Sequence, residues 1–132
     1  MQELKVGMEL KKDYMVTRNE TAKVVGSGGL EVLATPTLAA WVENAAFEMA
    51  ELCLPDEETT VGVNINLDHI AATPVGMKIR IKVVLTKIEG HCLDFKIEAW
   101  DTVQKIGEGT HRRFEVQKMK FMGKVQKKKN PK

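Results

Sequence analysis

The sequence predicts an α+β domain in which an antiparallel sheet packs around one central helix. Three observations predict it. One segment, from Pro36 to about Leu52, carries apolar residues at helical spacing. Immediately after it the period changes to two and stays there through three further runs. Two of these runs are joined by a short turn around Glu89-Gly90, which marks them as an antiparallel hairpin. With 132 residues and 14.8 kDa, the chain has material for one core and not for two.

Taken in order, Leu4 to Leu10, Tyr14 to Thr17 and Ala22 to Val25 are short β-compatible pieces between polar breaks. Gly26-Ser27-Gly28-Gly29 is a flexible turn; no Lys follows in P-loop spacing and no GxGxxG is completed, so it does not predict a phosphate cradle. The helix has Pro36 at its start, Thr35 as the expected N-cap, an Ala-rich interior and Pro55 just beyond its end. On a 100° wheel Leu38, Trp41, Val42, Ala45, Met49 and Leu52 form one apolar face, and Ala39, Ala46, Phe47 and Ala50 widen it. Only Asn44, Glu48 and Glu51 make a polar strip. Val61, Val63, Ile65 and Leu67 then alternate with polar residues, as do Ile79 to Leu85 and Leu93 to Ala99, the last two joined by a hairpin turn at Glu89-Gly90. Ile106 to Val116 is a less regular fourth strand, expected at an edge, and residues 118–132 are expected to be a frayed basic tail.

Charge divides the chain at the same place. Residues 118–132 hold seven Lys and no acid, whereas residues 1–117, the predicted domain, hold 13 basic against 18 acidic residues. No aromatic is interleaved among the terminal lysines and the domain itself is acidic, which argues against nucleic acid as the partner. There is no 18-residue apolar run, and charges stand where a signal peptide would place its apolar segment, so no membrane is expected and the setting is read as cytoplasmic. Cys53 and Cys92 have no repeated spacing and are read as free thiols. Together with His69, His91 and His111 they make no metal-ligand spacing.

Two polar residues fall where apolar ones are expected. His69 continues the parity of Val61 to Leu67, which turns its imidazole toward the helix. Glu43 sits on the apolar arc among Ala39, Ala46, Phe47 and Ala50, where an unpaired carboxylate costs several kcal/mol. With Thr35 at the helix start they form a candidate acid–base site. Each also has a purely structural reading: Thr35 as an N-cap, His69 as a satisfied strand histidine, Glu43 as a helix residue lying just off its assigned arc. His111, Arg112 and Arg113 on the last strand are candidates for binding an anion, or for protecting an edge strand.

Three stretches together resemble the hot-dog-fold thioesterases, in the branch that is similar to fluoroacetyl-CoA thioesterase. They are Ala34-Thr35-Pro36 with Glu43 eight residues after the Thr; Thr60-Val61-Gly62 leading to Asp68-His69-Ile70-Ala71-Ala72-Thr73-Pro74-Val75-Gly76; and Glu108-Gly109-Thr110-His111-Arg112-Arg113-Phe114. The resemblance implies a hot-dog fold and hydrolysis of an acyl-CoA to free acid and CoA, with Thr35, Glu43 and His69 as the catalytic set. It implies substrate-binding roles for Gly62, Ala71 and Arg113, the last toward the CoA part or the site architecture. It implies neither metal nor redox cofactor, and a homodimer with sites at the subunit interface. The apolar helix independently suggests a partner, since a small sheet is expected to leave part of it uncovered. Non-catalytic acyl-CoA binding and hydration or dehydration of an acyl-CoA are the alternatives on the same fold. One departure stands out: where the specialised enzyme has aromatic residues closing the acyl pocket, this chain has Val25-Gly26-Ser27-Gly28-Gly29, so selectivity for fluoroacetyl is not implied.

Overall fold

The computed structural model describes residues 2–131. Strand β1 (Glu9–Met15) is followed by a helical turn α1 (Ala22–Val25), the long helix α2 (Thr35–Glu51), strands β2 (Glu58–His69), β3 (Lys78–Glu89), β4 (Cys92–Trp100) and β5 (Lys105–Gln117), and a C-terminal helix α3 (Lys118–Gln126). The strands form one antiparallel sheet in the order β1-β3-β4-β5-β2. This is the predicted α+β architecture, with α2 packed on one face of the sheet.

Alternation places the core as expected on β3 and β4, where Ile79, Ile81, Val83, Leu85, Leu93, Phe95, Ile97 and Ala99 are all buried. Leu38, Val42, Ala45, Ala46, Met49 and Ala50 of α2 meet them. Each large aliphatic side chain buried there stabilises the fold by about 1.5–3 kcal/mol. The polar strip is closed by β1: Lys12 pairs with Glu48 and donates to Asn44 Oδ1, Tyr14 donates to Asn44 Oδ1 (2.6 Å), and the Tyr14 ring stacks on Trp41 at 4.8 Å.

Five details differ from the sequence expectation. Ala22–Val25 is a helical turn, because Thr21 Oγ1 accepts the Val24 N–H and Gly26, at φ 89°, stops it; the cap and the left-handed stop outweigh the β-branched valines. Val63 is the extra residue of a β-bulge between Gly62 and Asn64, so the inward parity passes from Thr60 and Gly62 to Ile65, Leu67 and His69, and Val63 is 53% exposed. β5 lies between β4 and β2; the sheet edges are β1 and β2. Residues 118–126, expected to fray, form α3, whose first N–H donates to the Glu57 carbonyl (2.9 Å) and whose Phe121 is half-buried. Finally, the sheet of one chain buries Leu38, Val42, Ala45, Ala46, Met49 and Ala50 of α2 but leaves Leu52, assigned to the same apolar face, 50% exposed, and Val63, Ile70 and Val75 are exposed along and after β2. No helix among the described residues is long and apolar enough to cross a membrane.

Candidate active site

The start of α2 is where Thr35 departs from its expected role. Ala34 is the N-cap, in extended conformation and without a side-chain cap bond, and Thr35 is the first helical residue. Its hydroxyl is engaged elsewhere: Oγ1 lies 2.7 Å from Nδ1 of His69, at the last position of β2. The bulge at Val63 preserves this meeting, since it sets the parity that carries Ile65, Leu67 and His69 inward. The other ring nitrogen, Nε2, is buried and has no hydrogen-bond partner among the described residues. Burial pushes the imidazole below its usual range, partly opposed by the Ala71 backbone, so the ring is neutral at pH 7. An open cleft of about 360 Å³ adjoins the pair, lined by Ala22, Ser27, Leu33, Ile70 and Ala71 among others. Its walls are small or aliphatic side chains, with Thr35 and His69 as the reactive groups.

Glu43 lies elsewhere on the same helix. Eight residues at 1.5 Å each separate it from Thr35 by about 12 Å along the axis, so one chain does not bring the three sequence-predicted residues into one contact. Instead Glu43 meets Gly62, Arg113 and His111. A Cβ on Gly62 would stand 3.0 Å from Glu43 Oε1, 3.3 Å from Arg113 Nη1 and 3.4 Å from His111 Cε1, which is why this position takes glycine. The Glu43 carboxylate accepts no hydrogen bond among the described residues, so both oxygens remain available. Arg113 is only 6% exposed. Its Nε donates to Thr60 Oγ1 (2.7 Å), Nη2 donates to the Thr60 carbonyl (3.1 Å), and its guanidinium lies 5.8 Å from the centre of the Phe47 ring. Burial lowers its affinity for the proton, opposed by the charges of Glu43 and Glu51.

Thr60 is the member of this cluster that sequence reasoning missed as a site residue, and His111, read with Arg112 and Arg113 as a candidate for binding an anion, instead meets Arg113 and the Asn64 carbonyl. The signal lay in β5, whose inward positions Gly107, Gly109, His111 and Arg113 contain no apolar side chain. A core strand that gives its inward face to two glycines, an imidazole and a guanidinium is shaped around something other than packing. Gly109 in particular passes so close to the Asn66 carbonyl that any side chain there would displace β2.

Both histidines, half-buried His69 and buried His111, are held below the ordinary imidazole range, His111 first by burial and then, opposed by the Asn64 carbonyl and Glu43, by the charge of Arg113. The unfolded chain, with histidines near 6.5, therefore binds more protons than the folded one as pH falls below about 6.5. Stability contributed by the two neutral rings is complete above that value and is lost on acidification. Thermal melting should fall steadily from pH 7 to pH 5, before the carboxylates of Asp94 and Glu98, held low chiefly by Arg112 and Lys105, begin to protonate. A melting temperature constant over that interval would contradict it.

The family model described as fluoroacetyl-CoA-specific thioesterase matches residues 16–119. A fluoroacetyl-CoA thioesterase of Streptantibioticus cattleyicolor is 30% identical over 131 residues, covering 95% of this chain and 94% of that protein. Among solved structures, a substituted variant of the fluoroacetyl-CoA-specific thioesterase superposes with a TM-score of 0.91 at 29% identity, covering 97% of this chain and 99% of that one. A Thermus thermophilus thioesterase superfamily member shares the fold at TM-score 0.90 and 23% identity, covering 99% and 97% of the two chains. The chain is a thioester hydrolase on the hot-dog fold, and it belongs to the fluoroacetyl-CoA-specific thioesterase family.

Proposed function

We propose that the chain hydrolyses an acyl-CoA to free acid and CoA-SH at sites shared by two subunits, each joining Thr35 and His69 of one chain to Glu43, Gly62 and Arg113 of the other. The observation that carries this reading is the His69 ring, with Nδ1 held by Thr35 and Nε2 buried, unpartnered and beside the apolar cleft. The 12 Å between Thr35 and Glu43 supports the shared site. The outer edge of β2, a twelve-residue strand paired only with β5, is open to a second copy. A two-fold axis there would join the sheets, run the two α2 helices antiparallel and cover Val63 and Ile70.

In this arrangement the acyl group lies between the partner subunit's Glu43 and the Thr35–His69 pair. Glu43 attacks the thioester carbonyl, or deprotonates the water that does. When the Thr35 hydroxyl donates to Nδ1, the neutral ring carries its proton on Nε2, ready for the departing CoA sulfur. Arg113, buried and tied to Thr60, serves the acyl end of the site and not the CoA phosphates. Ala71 lines the wall of the acyl cleft. Hydrolysis by a carboxylate, an imidazole and water needs neither metal nor redox cofactor. Ser27, and not an aromatic ring, lines the mouth of the cleft, so the acyl scope is wider than fluoroacetyl. The catalytic domain ends at residue 117. The basic segment beyond it draws in the anionic CoA ester, and a cleft of about 430 Å³ between β5 and α3, with Lys120 and Lys124 in its walls, lies beside it. Free Cys53 and Cys92 fit a reducing, cytoplasmic setting.

Incubation with a panel of acyl-CoA esters, read by free thiol release and product mass, tests the reading. Equal amounts of acid and CoA are expected. Binding without turnover, or a mass change of one water on an intact thioester, would contradict it. Gly62→Ala sharpens the test, because the new Cβ would push Glu43 and Arg113 aside by a few tenths of an ångström while suiting a strand better than glycine. We expect kcat to fall by about 10–100-fold, with melting unchanged or raised.

A further inference from the structure

We infer that His111 is a positioning residue that sets the orientation of Arg113, and through it the anion-facing side of the acyl site. The inference rests on the thioesterase reading of that site. Hydrogen-bond chemistry fixes what His111 does. Its Nδ1 lies 2.7 Å from the carbonyl oxygen of Asn64, which can only accept, so Nδ1 carries the hydrogen. Its Nε2 lies 3.2 Å from Arg113 Nη1, which can only donate, so Nε2 is bare and accepts. The ring, 2% exposed, is therefore a neutral bridge between the bulged backbone of β2 and the guanidinium.

Thr60 takes Nε and Nη2 of Arg113, and His111 takes Nη1. Three fixed points define the guanidinium plane, and the remaining N–H bonds are left for the space above Gly62, where Glu43 also ends. Removing the His111 acceptor leaves Nη1 without its third point and lets the planar fork pivot as a unit, through the side-chain torsions, on its Thr60 contacts. The charged groups that reach His111 are Arg113 on its own strand and Glu43 on α2; β2 contributes the uncharged Asn64 carbonyl and β4 the Phe95 ring at 6.2 Å. Protonation of Nε2 would convert an acceptor into a donor facing a cation and release Arg113. Acidification should therefore remove activity through His111, whereas a protonated His69 ring still carries the Nε2–H that faces the departing sulfur.

The test has an activity arm and a spectroscopic arm. In the first, log kcat/KM of the wild-type protein falls on acidification, and His111→Gln, whose amide oxygen reaches Arg113 from about the Nε2 position but does not titrate, lowers the limiting slope of that fall by about one while keeping kcat within several-fold. His111→Phe should lose about 10–100-fold in kcat. The same substitution in an Arg113→Lys background should lose almost nothing further, because His111 acts through Arg113. A limiting slope that His111→Gln leaves unchanged, or losses that add in the double variant, would overturn the proposal. The spectroscopic arm holds whatever the substrate is: NMR of the wild-type protein should show His111 as the Nδ1–H tautomer at pH 7 and a slowly exchanging Arg113 Nε–H that is lost on acidification. An Nε2–H tautomer or a freely exchanging Arg113 would overturn the proposal without touching the thioesterase reading. A wild-type protein without thioester turnover would overturn that reading alone.

Discussion

Replacing Glu43 by Gln should lower kcat by about 10²–10⁴-fold while leaving the protein folded. The substitution keeps the length and shape of the side chain and removes only the charge and the nucleophilic or basic oxygen. Nothing in the fold depends on that oxygen as an acceptor, since the carboxylate takes no hydrogen bond among the described residues. Arg113 loses a compensating charge nearby but keeps Thr60 and His111, so the loss of stability is expected to stay near 1 kcal/mol. The control is Glu48→Gln, one helical turn and a little more along α2, where the carboxylate pairs with Lys12 on the far side of the helix. That variant should keep full turnover. The comparison is made by steady-state thiol release and thermal melting on the same preparations. A Glu43→Gln protein that keeps most of its kcat and melts several degrees lower would show the acid to be structural.

His69→Ala should cost a comparable 10²–10⁴-fold, for a different reason. It removes the proton donor to the departing sulfur and leaves the Thr35 hydroxyl without its 2.7 Å partner at the helix start. Because the leaving thiolate is a better leaving group than an alkoxide, the deficit should shrink with esters of more acidic thiols, whereas the Glu43→Gln deficit should not. Measuring both variants on a CoA ester and on a thioester of an acidic aryl thiol separates attack from departure. Equal deficits on the two substrates for His69→Ala would contradict its assignment to the leaving group.

Most of the fold was legible because it rests on periodicity. The inward positions of β3 and β4 and the buried face of α2 follow from spacing alone. Thr35, Glu43 and His69 were legible for the opposite reason, as polar residues at positions that spacing assigns to the core or to a helix start. What the sequence concealed was geometry that depends on one inserted residue or on a distant partner. The bulge at Val63 breaks the parity that would have carried it inward, yet leaves His69 facing as expected because the parity is counted from the strand's end. The Thr35 hydroxyl looked like a cap because its true partner is 34 residues away. β5 looked like an edge strand because its run of arginines resembles edge protection, and only the sheet order shows it flanked on both sides. Within one chain Glu43 stands apart from the Thr35–His69 pair, since eight residues of helical rise separate it from Thr35.

That separation makes the shared site the central claim, and it can be tested by mixing subunits. Glu43→Gln and His69→Ala chains, each nearly inactive alone, are unfolded together and refolded as an equal mixture. If each site draws Thr35 and His69 from one chain and Glu43 from the other, half of the dimers are mixed and each of these has one fully wild-type site. Turnover should then recover to about a quarter of the wild-type value. A mixture no more active than the mean of its two components would contradict the shared site.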